Sequence, residues 1–490
     1  MRYLSALCFL FASFNLVAQD ITPGGVDGVW QWWHPSSINS ESHEWVLNNE
    51  RLPYSGTESR LLNYWPSPNW QQLPLPAPLQ LPDNFSSSST LFVVYQPPAL
   101  GREEVLWSWQ QGDHPPLVST NKRMADLKER RYLNFLDDRL FTRLQTYQQV
   151  IAPNTEADAQ LFAFGQLTTP VSIPAQQWSG SIAEFVFFPR TLEKEEQQRV
   201  ESYLALKYGT TIGFAGIGTD YLSSTKQVTW DAQQNKDYHY RVFGLGKDSG
   251  SGWEQSRTAS AEANELLEIS LKESPAQNGL RGTSLPDQHF FLLGDNNGLL
   301  EWDNHPDEAD WEILGREWKA QVTGSFATQS MELQLDLGRW LGPQTDAYEY
   351  RLIASTAEHD FSLAEGMTFP MESLTKGRFG QFVEITWPDN DQFYFTFIRR
   401  PKLESSTLQQ ALRLYPNPVS SDRSWQWQLR MEHNTLLTVS LTNAKGQMLW
   451  ERQYPADNYF AAEEAPLPAG TYSLNLRAGT HTFTQKIVVQ

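Results

Sequence analysis

Alternating apolar and polar positions run through almost the whole chain, and they predict strands. In Met331-Glu-Leu-Gln-Leu-Asp-Leu337 every second residue is apolar, which gives a strand with one dry and one wet face. Phe393, Phe395 and Phe397 repeat the pattern, as do Val105, Trp107 and Trp109. In the first part of the chain, strands are expected at Val29–Trp33, Thr90–Tyr95, Glu104–Trp109, Gln160–Phe164 and Ile182–Phe188. The middle adds Gln227–Asp231, Tyr238–Leu245, Glu265–Leu271, His289–Gly294, Glu317–Val322, Gln329–Leu337, Tyr348–Ala354, Phe382–Trp387 and Gln392–Arg399. Near the C-terminus Leu437–Leu441, Met448–Trp450, Thr471–Leu476 and Phe483–Val489 alternate between glycine-bearing turns. One segment changes period. Leu192–Tyr208 places Leu192, Val200, Tyr203, Leu204 and Lys207 on one side, so a helix packed on that side is expected. Thr191 is its expected cap, Glu193, Glu195 and Glu196 suit its positive end, and Gly209 stops it.

Breaks in the pattern divide the chain. Met1–Ala18 has Arg2 followed by an apolar run ending in Val17-Ala18, the form of a secretory signal peptide. Residues 19–212 form a first domain, with Pro-rich and Ser-rich connections at Pro66–Pro82 and Ser86–Ser89. Residues 213–401 form a second β-rich domain, 402–413 a polar linker, and 414–490 a small terminal sandwich. Pro416 and Pro418 forbid a helix where that last module opens.

Three of these stretches resemble known families. Leu414-Tyr-Pro-Asn-Pro-Val419, Ala444-Lys-Gly-Gln447, Leu467-Pro-Ala-Gly-Thr-Tyr472 and the terminal Lys486 run resemble the type A C-terminal sorting domain of the Bacteroidetes type IX secretion system. That resemblance implies that Pro416, Asn417, Pro418, Gly446, Gly470, Tyr472 and Lys486 carry a sorting signal read by the type IX machinery at the outer membrane. It also implies passage through the periplasm to the cell surface or beyond. Trp178-Ser-Gly-Ser-Ile-Ala-Glu-Phe-Val-Phe-Phe-Pro-Arg-Thr191, continuing into Val200–Gly209, is similar to the end of a concanavalin A-like, LamG-type sandwich. This implies a jelly roll that binds carbohydrate or protein, with calcium in some members. Gly244–Gly250, Phe291–Asn296 and Arg316–Gly324 resemble an uncharacterised β-domain that accompanies such units. The expected fold class is thus all-β: a jelly-roll sandwich, a second β-rich domain and a small immunoglobulin-like sandwich.

Composition narrows the function classes. The formal net charge is −19, and removing Met1–Ala18 with its Arg2 makes it one unit more negative, so nucleic acid and anionic membranes are excluded as partners. Arg123–Arg131 is locally basic and is read as a solvated face. No second apolar run has the length of a membrane span. Cys8, inside the signal segment, is the only cysteine, so the exported chain has neither disulfides nor thiol chemistry.

Catalytic motifs are missing. The nine histidines are scattered without H-E-x-x-H, no G-x-S-x-G elbow joins a strand to a helix, and Gly244-Leu-Gly246 is not followed by a helix. A glycosidase needs two carboxylates at a fixed separation. The nearest approach is Glu301-Trp-Asp303-Asn-His-Pro306, which has Pro where the second acid belongs and reads as an acidic loop. Asp248, in a Gly/Ser-rich loop, and Asp295, before Asn296-Asn297-Gly298, are candidate calcium ligands as well as ordinary turn residues. Trp65 and Trp70, in a Pro-rich stretch, are candidates for an exposed sugar-stacking platform, whereas Trp107 and Trp109 are expected in the core. The reading is a non-enzymatic, adhesion-type surface protein that binds a glycan or a surface protein. The alternative is a glycan-active enzyme, a glycoside hydrolase or a lyase accessory protein.

Overall fold

Successive residues of the Ser88–Gln96 strand enter two different cores. Leu91, Val93 and Tyr95 point into one apolar cluster, and Phe92 and Val94 into another. A strand buried on both faces reads as a continuous apolar run, as Thr90–Tyr95 does. The computed structural model describes residues 21–33, 38–39, 44–47, 50–53, 60–62, 65–67, 78–81, 88–97, 102–135, 143–150, 160–171, 173–214, 217–272, 285–326, 330–338, 347–375, 378–385, 387, 390–402, 412–430, 435–456, 459–478 and 481–490. The expected signal peptide, Met1–Ala18, lies outside these residues, as does most of the expected linker. The chain forms two compact units: Met1–Trp302 with Leu314–Pro343 and Arg351–Phe397, and Asp303–Ile313 with Gln344–Tyr350 and Ile398–Gln490.

In the first unit, one sheet runs in the order Gln31–Trp33, Ser181–Phe188, Ser88–Gln96, Arg143–Val150. Facing it is a larger sheet in the order Arg131–Asn134, Arg123–Asp126, Leu117–Thr120, Glu104–Gln111, Gln160–Phe164, Leu79–Leu81. Aromatic rings fill the space between. Phe164 meets Phe185 edge-on at 4.3 Å, Trp33 lies 4.9 Å from Phe164, and Trp109 lies 5.4 Å from Phe187. Trp107 and Trp109 are core residues, each donating its indole N–H to a glutamine, Gln145 at 3.0 Å and Gln160 at 2.9 Å.

The α-helix Lys194–Tyr208 covers the other face of the smaller sheet. Its cap is Glu193 and not the expected Thr191: the Glu193 N–H donates to Glu196 Oε2 at 3.0 Å in a capping box. Gly209 ends it at φ 66°, the left-handed geometry expected of that glycine. Packing on one side was expected, yet Arg199, Val200 and every residue from Ser202 to Tyr208 is buried. The reason is that a third sheet covers the helix as well. Val242, Trp253, Phe290 and Leu292 join Val200, Leu204 and Tyr208 in one continuous cluster that also contains Val186 and Phe188. The expected boundary between residues 212 and 213 therefore falls inside a shared core. Gly24, in the opening Pro-Gly-Gly, lies against the helix backbone at Arg199, where a Cβ would overlap it.

That third sheet orders Trp253–Gln255, Tyr240–Asp248, His289–Asp295, Trp318–Thr323 and the first half of Gln392–Pro401. A fourth orders Arg257–Ala259, Leu267–Leu271, Met331–Asp336, Phe379–Ile385, Ser373–Thr375. Phe291, Trp387, Phe393 and Phe395 pack together there, with Trp387 stacked on Phe393 at 4.8 Å. The expected acidic loop carries a short strand, Trp302–Asn304. Among the described residues no helix is long and apolar enough to cross a membrane.

The second unit contains the terminal sandwich. Leu412–Tyr415, Trp425–Arg430 and Tyr459–Glu464 form one sheet. Met448–Ala456, Thr435–Asn443, Gly470–Ala478 and His481–Val489 form the other. Trp425, Trp427, Val439, Leu474, Ile487 and Val489 make up its own core. Its first strand begins at Leu412, two residues before the expected boundary.

Because Lys207 is buried with its charge in the helix that joins the layers of the first unit, Lys207→Met should lower stability by about 3–5 kcal/mol, the usual consequence of leaving a buried charge without its partner. Denaturant unfolding of this variant beside an exposed control, Lys236→Met, checks it; equal midpoints would show that the pair is dispensable.

Candidate functional site

Ionisable groups are held by hydrogen bonds at four places in the first unit. The first lies between helix and sheet. Glu184, on the same face of its strand as Val186 and Phe188, is 0% exposed at its side chain, and Lys207 4%. The Lys207 ammonium donates to Glu184 Oε2 at 2.7 Å and to the Tyr203 hydroxyl at 2.8 Å. Tyr203, Tyr208 and the Trp32 indole also donate to the carboxylate, at 2.9, 2.8 and 2.7 Å. Burial, with Glu184 second, pushes both tyrosine hydroxyls well above their ordinary range. Burial also pulls Lys207 down from the ordinary lysine value, against the pull of Glu184.

The second centre contains Asp295, one of the candidate calcium ligands. It ends the His289–Asp295 strand, buried. Arg241 grips both its oxygens, with Nε to Oδ2 at 2.6 Å and Nη2 to Oδ1, while the Asn297 N–H donates to Oδ1 at 2.7 Å. Arg316 adds a second guanidinium at 3.9 Å. These donors occupy the positions a cation would need. Arg241 holds φ 49°, a left-handed geometry that costs about 1–2 kcal/mol for a residue with a Cβ. Close by, burial and then Asp295 push the Glu265 carboxyl up to about 8, and burial raises Glu262 in the same direction.

Asp248, the other candidate calcium ligand, is the third. It is buried at the end of Tyr240–Asp248 rather than in a loop. It accepts from the Ser224 N–H at 2.8 Å, the Ser224 hydroxyl and Gln288 Nε2 at 2.8 Å. Among the described residues, no group of three or more His, Cys, Asp and Glu side chains is arranged to hold a metal ion.

A fourth set reaches water. Glu317 Oε2 accepts from the Tyr238 hydroxyl at 3.0 Å and lies 2.7 Å from His359 Nδ1, and the His359 side chain is 63% exposed. Lys319, in the same strand as neighbouring Trp318, lies under the Tyr394 ring at 5.3 Å and is lowered by burial.

The residues expected to carry the sorting signal are gathered around the final strand. Asn417, between two cis prolines, Pro416 and Pro418, accepts from Val488 N–H and donates to Lys486 O, each at 3.4 Å. Val419 then pairs with Val489: its N–H donates to Val488 O at 2.8 Å and its carbonyl accepts from Gln490 N–H at 2.8 Å. Tyr472 is buried and donates to Pro468 O at 2.8 Å. Gly470 opens the strand paired with the last one, and its partner is Val489. Gly446 turns at φ 77°, away from that seam, and Lys486 is exposed on the last strand. Of the platform candidates, Trp65 begins a short strand, its side chain not described, and Trp70 lies outside the described residues. Glu184 was not among the expected site residues, although a lone charge within Ile182–Phe188 is the signal that exposes it.

Residues 413–490 match the family model described as a secretion system C-terminal sorting domain, and residues 196–391 match a domain of unknown function, DUF8202. No curated protein matches the chain. Among solved structures, one titled HCR/D-Sa-GBL1/C is 10% identical, covering 78% of this chain and 96% of that one, with a TM-score of 0.27. A structure titled for cell entry of botulinum neurotoxin type C and its interaction with two ganglioside molecules is 10% identical, covering 77% and 99%, with a TM-score of 0.27. A polysaccharide lyase is 11% identical over 50% of this chain, with a TM-score of 0.14, and the chain spans 36% of that lyase. These likenesses carry no argument about this chain, whose architecture rests on its own strand pairing. The terminal module marks the chain as cargo of the type IX secretion system, exported to the cell surface or the extracellular space.

Two outcomes follow from this geometry. A chain lacking residues 414–490 should stay in the periplasm, and removing only Ile487–Gln490 should do the same, because Val419 then loses its partners and the core loses Ile487 and Val489. Fractionation checks this, and normal secretion of either truncation contradicts it. The second concerns pH. Glu265 binds its proton more tightly folded than unfolded, so its contribution to stability falls as pH rises from about 4.5 to about 8. Glu265→Gln should therefore raise the unfolding midpoint at about pH 9 and leave it unchanged near pH 5. A gap that widens on acidification would show the opposite linkage.

Proposed function

We propose that the exported chain is a non-catalytic binding protein of the cell surface or its surroundings, holding a carbohydrate or another surface protein. The reading is supported by the state of the acids and bases in the first unit. Glu184 is neutralised by Lys207, and Asp295 by Arg241, inside the protein. A catalytic acid, base or nucleophile has to reach a reacting atom, and these four side chains face one another instead. The similarity of residues 19–212 to LamG-type sandwiches supports recognition by this part, with residues 213–401 as scaffold or second surface.

One observation favours a second reading, a glycan-active enzyme. Glu317, Tyr238 and His359 form an acid–base set that reaches solvent through His359. The two readings separate in a polysaccharide panel assayed for reducing ends and unsaturated products, run beside a glycan array and a surface-protein overlay. The binding reading expects retention of a ligand without product, unchanged in Glu317→Gln. Product formation that disappears in Glu317→Gln would establish the enzyme.

A further inference from the structure

We propose that the outer edge of the larger sheet in the first sandwich is a docking site for an extended, acidic polypeptide segment of another protein, added as a further strand. This deepens the binding reading and rests on it. Among the described residues Arg131–Asn134 is the last strand of that sheet, paired on one side with Arg123–Asp126, and all four of its residues are exposed. Phe135 N–H donates inward to Lys122 O at 2.7 Å. In an antiparallel pair, main-chain groups alternate in direction, so those of Arg131 and Leu133 also face inward. Those of Tyr132 and Asn134 face away from the sheet.

Exposed edges are ordinarily blunted by charge and polarity. Here Tyr132 is 58% exposed and Leu133 65%, and alternation places them on opposite faces of the strand. The charge is also out of keeping with the chain. Residues 122–134 hold five Lys and Arg against two acids, in a protein of net charge −19. Arg123 is engaged by Glu103 at 2.8 Å and lies 5.7 Å over the Tyr132 ring. Lys128, Arg130 and Arg131 are exposed and make no ion pair among the described residues. They sit on an ordered turn: Asp126 Oδ1 accepts from the Glu129 N–H at 3.0 Å, and Arg130 holds φ 55°, where Gly or Asn is the ordinary choice.

Three features favour a polypeptide. Two outward main-chain positions offer ladder partners, apolar side chains on both faces suit two successive residues of an added strand, and the cations complement acids beside them. A stacked sugar ring would use the Tyr132 face and leave Leu133 uncovered on the other. A second copy of this chain would bring two sets of these cations together.

The test measures binding of the full chain to three probes: a peptide of about twelve residues in which Val-Val and Glu-Glu pairs alternate, so that each face of the strand carries both, the same peptide with central Val replaced by Pro, and polygalacturonate. The alternating peptide should bind, and salt should weaken it. Binding should fall at least about tenfold for the Pro peptide, which cannot complete the ladder, and for polygalacturonate. It should fall similarly in K128E/R130E/R131E and in Tyr132→Ser/Leu133→Ser, whose unfolding midpoints should match wild type because these side chains are exposed. Equal binding of the Pro peptide or of polygalacturonate would overturn strand addition, and no binding of the alternating peptide would overturn the site. Array or overlay ligands retained by both edge variants while the peptide fails to bind would reject this site and leave the broader binding reading standing.

Discussion

A single buried carboxylate, Glu184, ties the helix of the first unit to the sheet beneath it. Removing a carboxylate and an ammonium from water costs several kcal/mol per ion, and the pair alone does not offset that reliably. The arrangement is stable because Glu184 accepts from Lys207, Tyr203, Tyr208 and Trp32 together. Each donor comes from a fixed place: three from the last two turns of the helix and one from the first strand of the sheet. A helix packed only by apolar contacts can rotate or slide at small cost. One anchored by three side chains on a single carboxylate cannot. With its rotation set, Val200, Leu204 and Tyr208 can serve a core that includes residues from sheets on both sides.

This explains why some features could be read from the chain and others not. Strand existence was legible because alternation is local: Met331–Asp336, His289–Asp295 and Gln392–Pro401 appear within a residue or two of where periodicity places them. The helix and its Gly209 stop were legible for the same reason. What covers the helix was not. A side chain facing a second sheet carries the same composition as one facing the first, so Leu206 and Ala205 gave no sign of their burial. The fate of acids was also hidden. Asp248 and Asp295 stand in sequence contexts common to turns and to calcium loops alike, and only the positions of Ser224, Gln288 and Arg241, far away in sequence or across the sheet, decide what they hold. The sorting motif was the opposite case. Its meaning lies in a run of residue types, and the structure adds that Asn417 and Val419 bind the end of the chain they precede by some seventy residues.

That clasp has a consequence for the order of events during export. The Val419–Val489 seam closes only when residues up to Gln490 are present, so the terminal sandwich cannot complete itself before they are made. Its core is its own, with Trp425, Trp427 and Leu474 packed against Ile487 and Val489. No disulfide stabilises it, since Cys8 is the only cysteine of the chain. Folding of this module therefore depends on burial and on pairing of the His481–Val489 strand.

The placement of charge in the first unit suits the proposed binding role. Glu184 and Asp295 are matched by Lys207, Arg241 and Arg316 inside the first unit. Acids outside give the chain its net charge of −19, which disfavours approach to other acidic surfaces. Against that background a small basic edge with two exposed apolar side chains is a local reversal of the rule the rest of the surface follows. Arg130 adds backbone strain at this edge, and the charge and the exposed apolar pair together fit the proposed docking of an acidic strand.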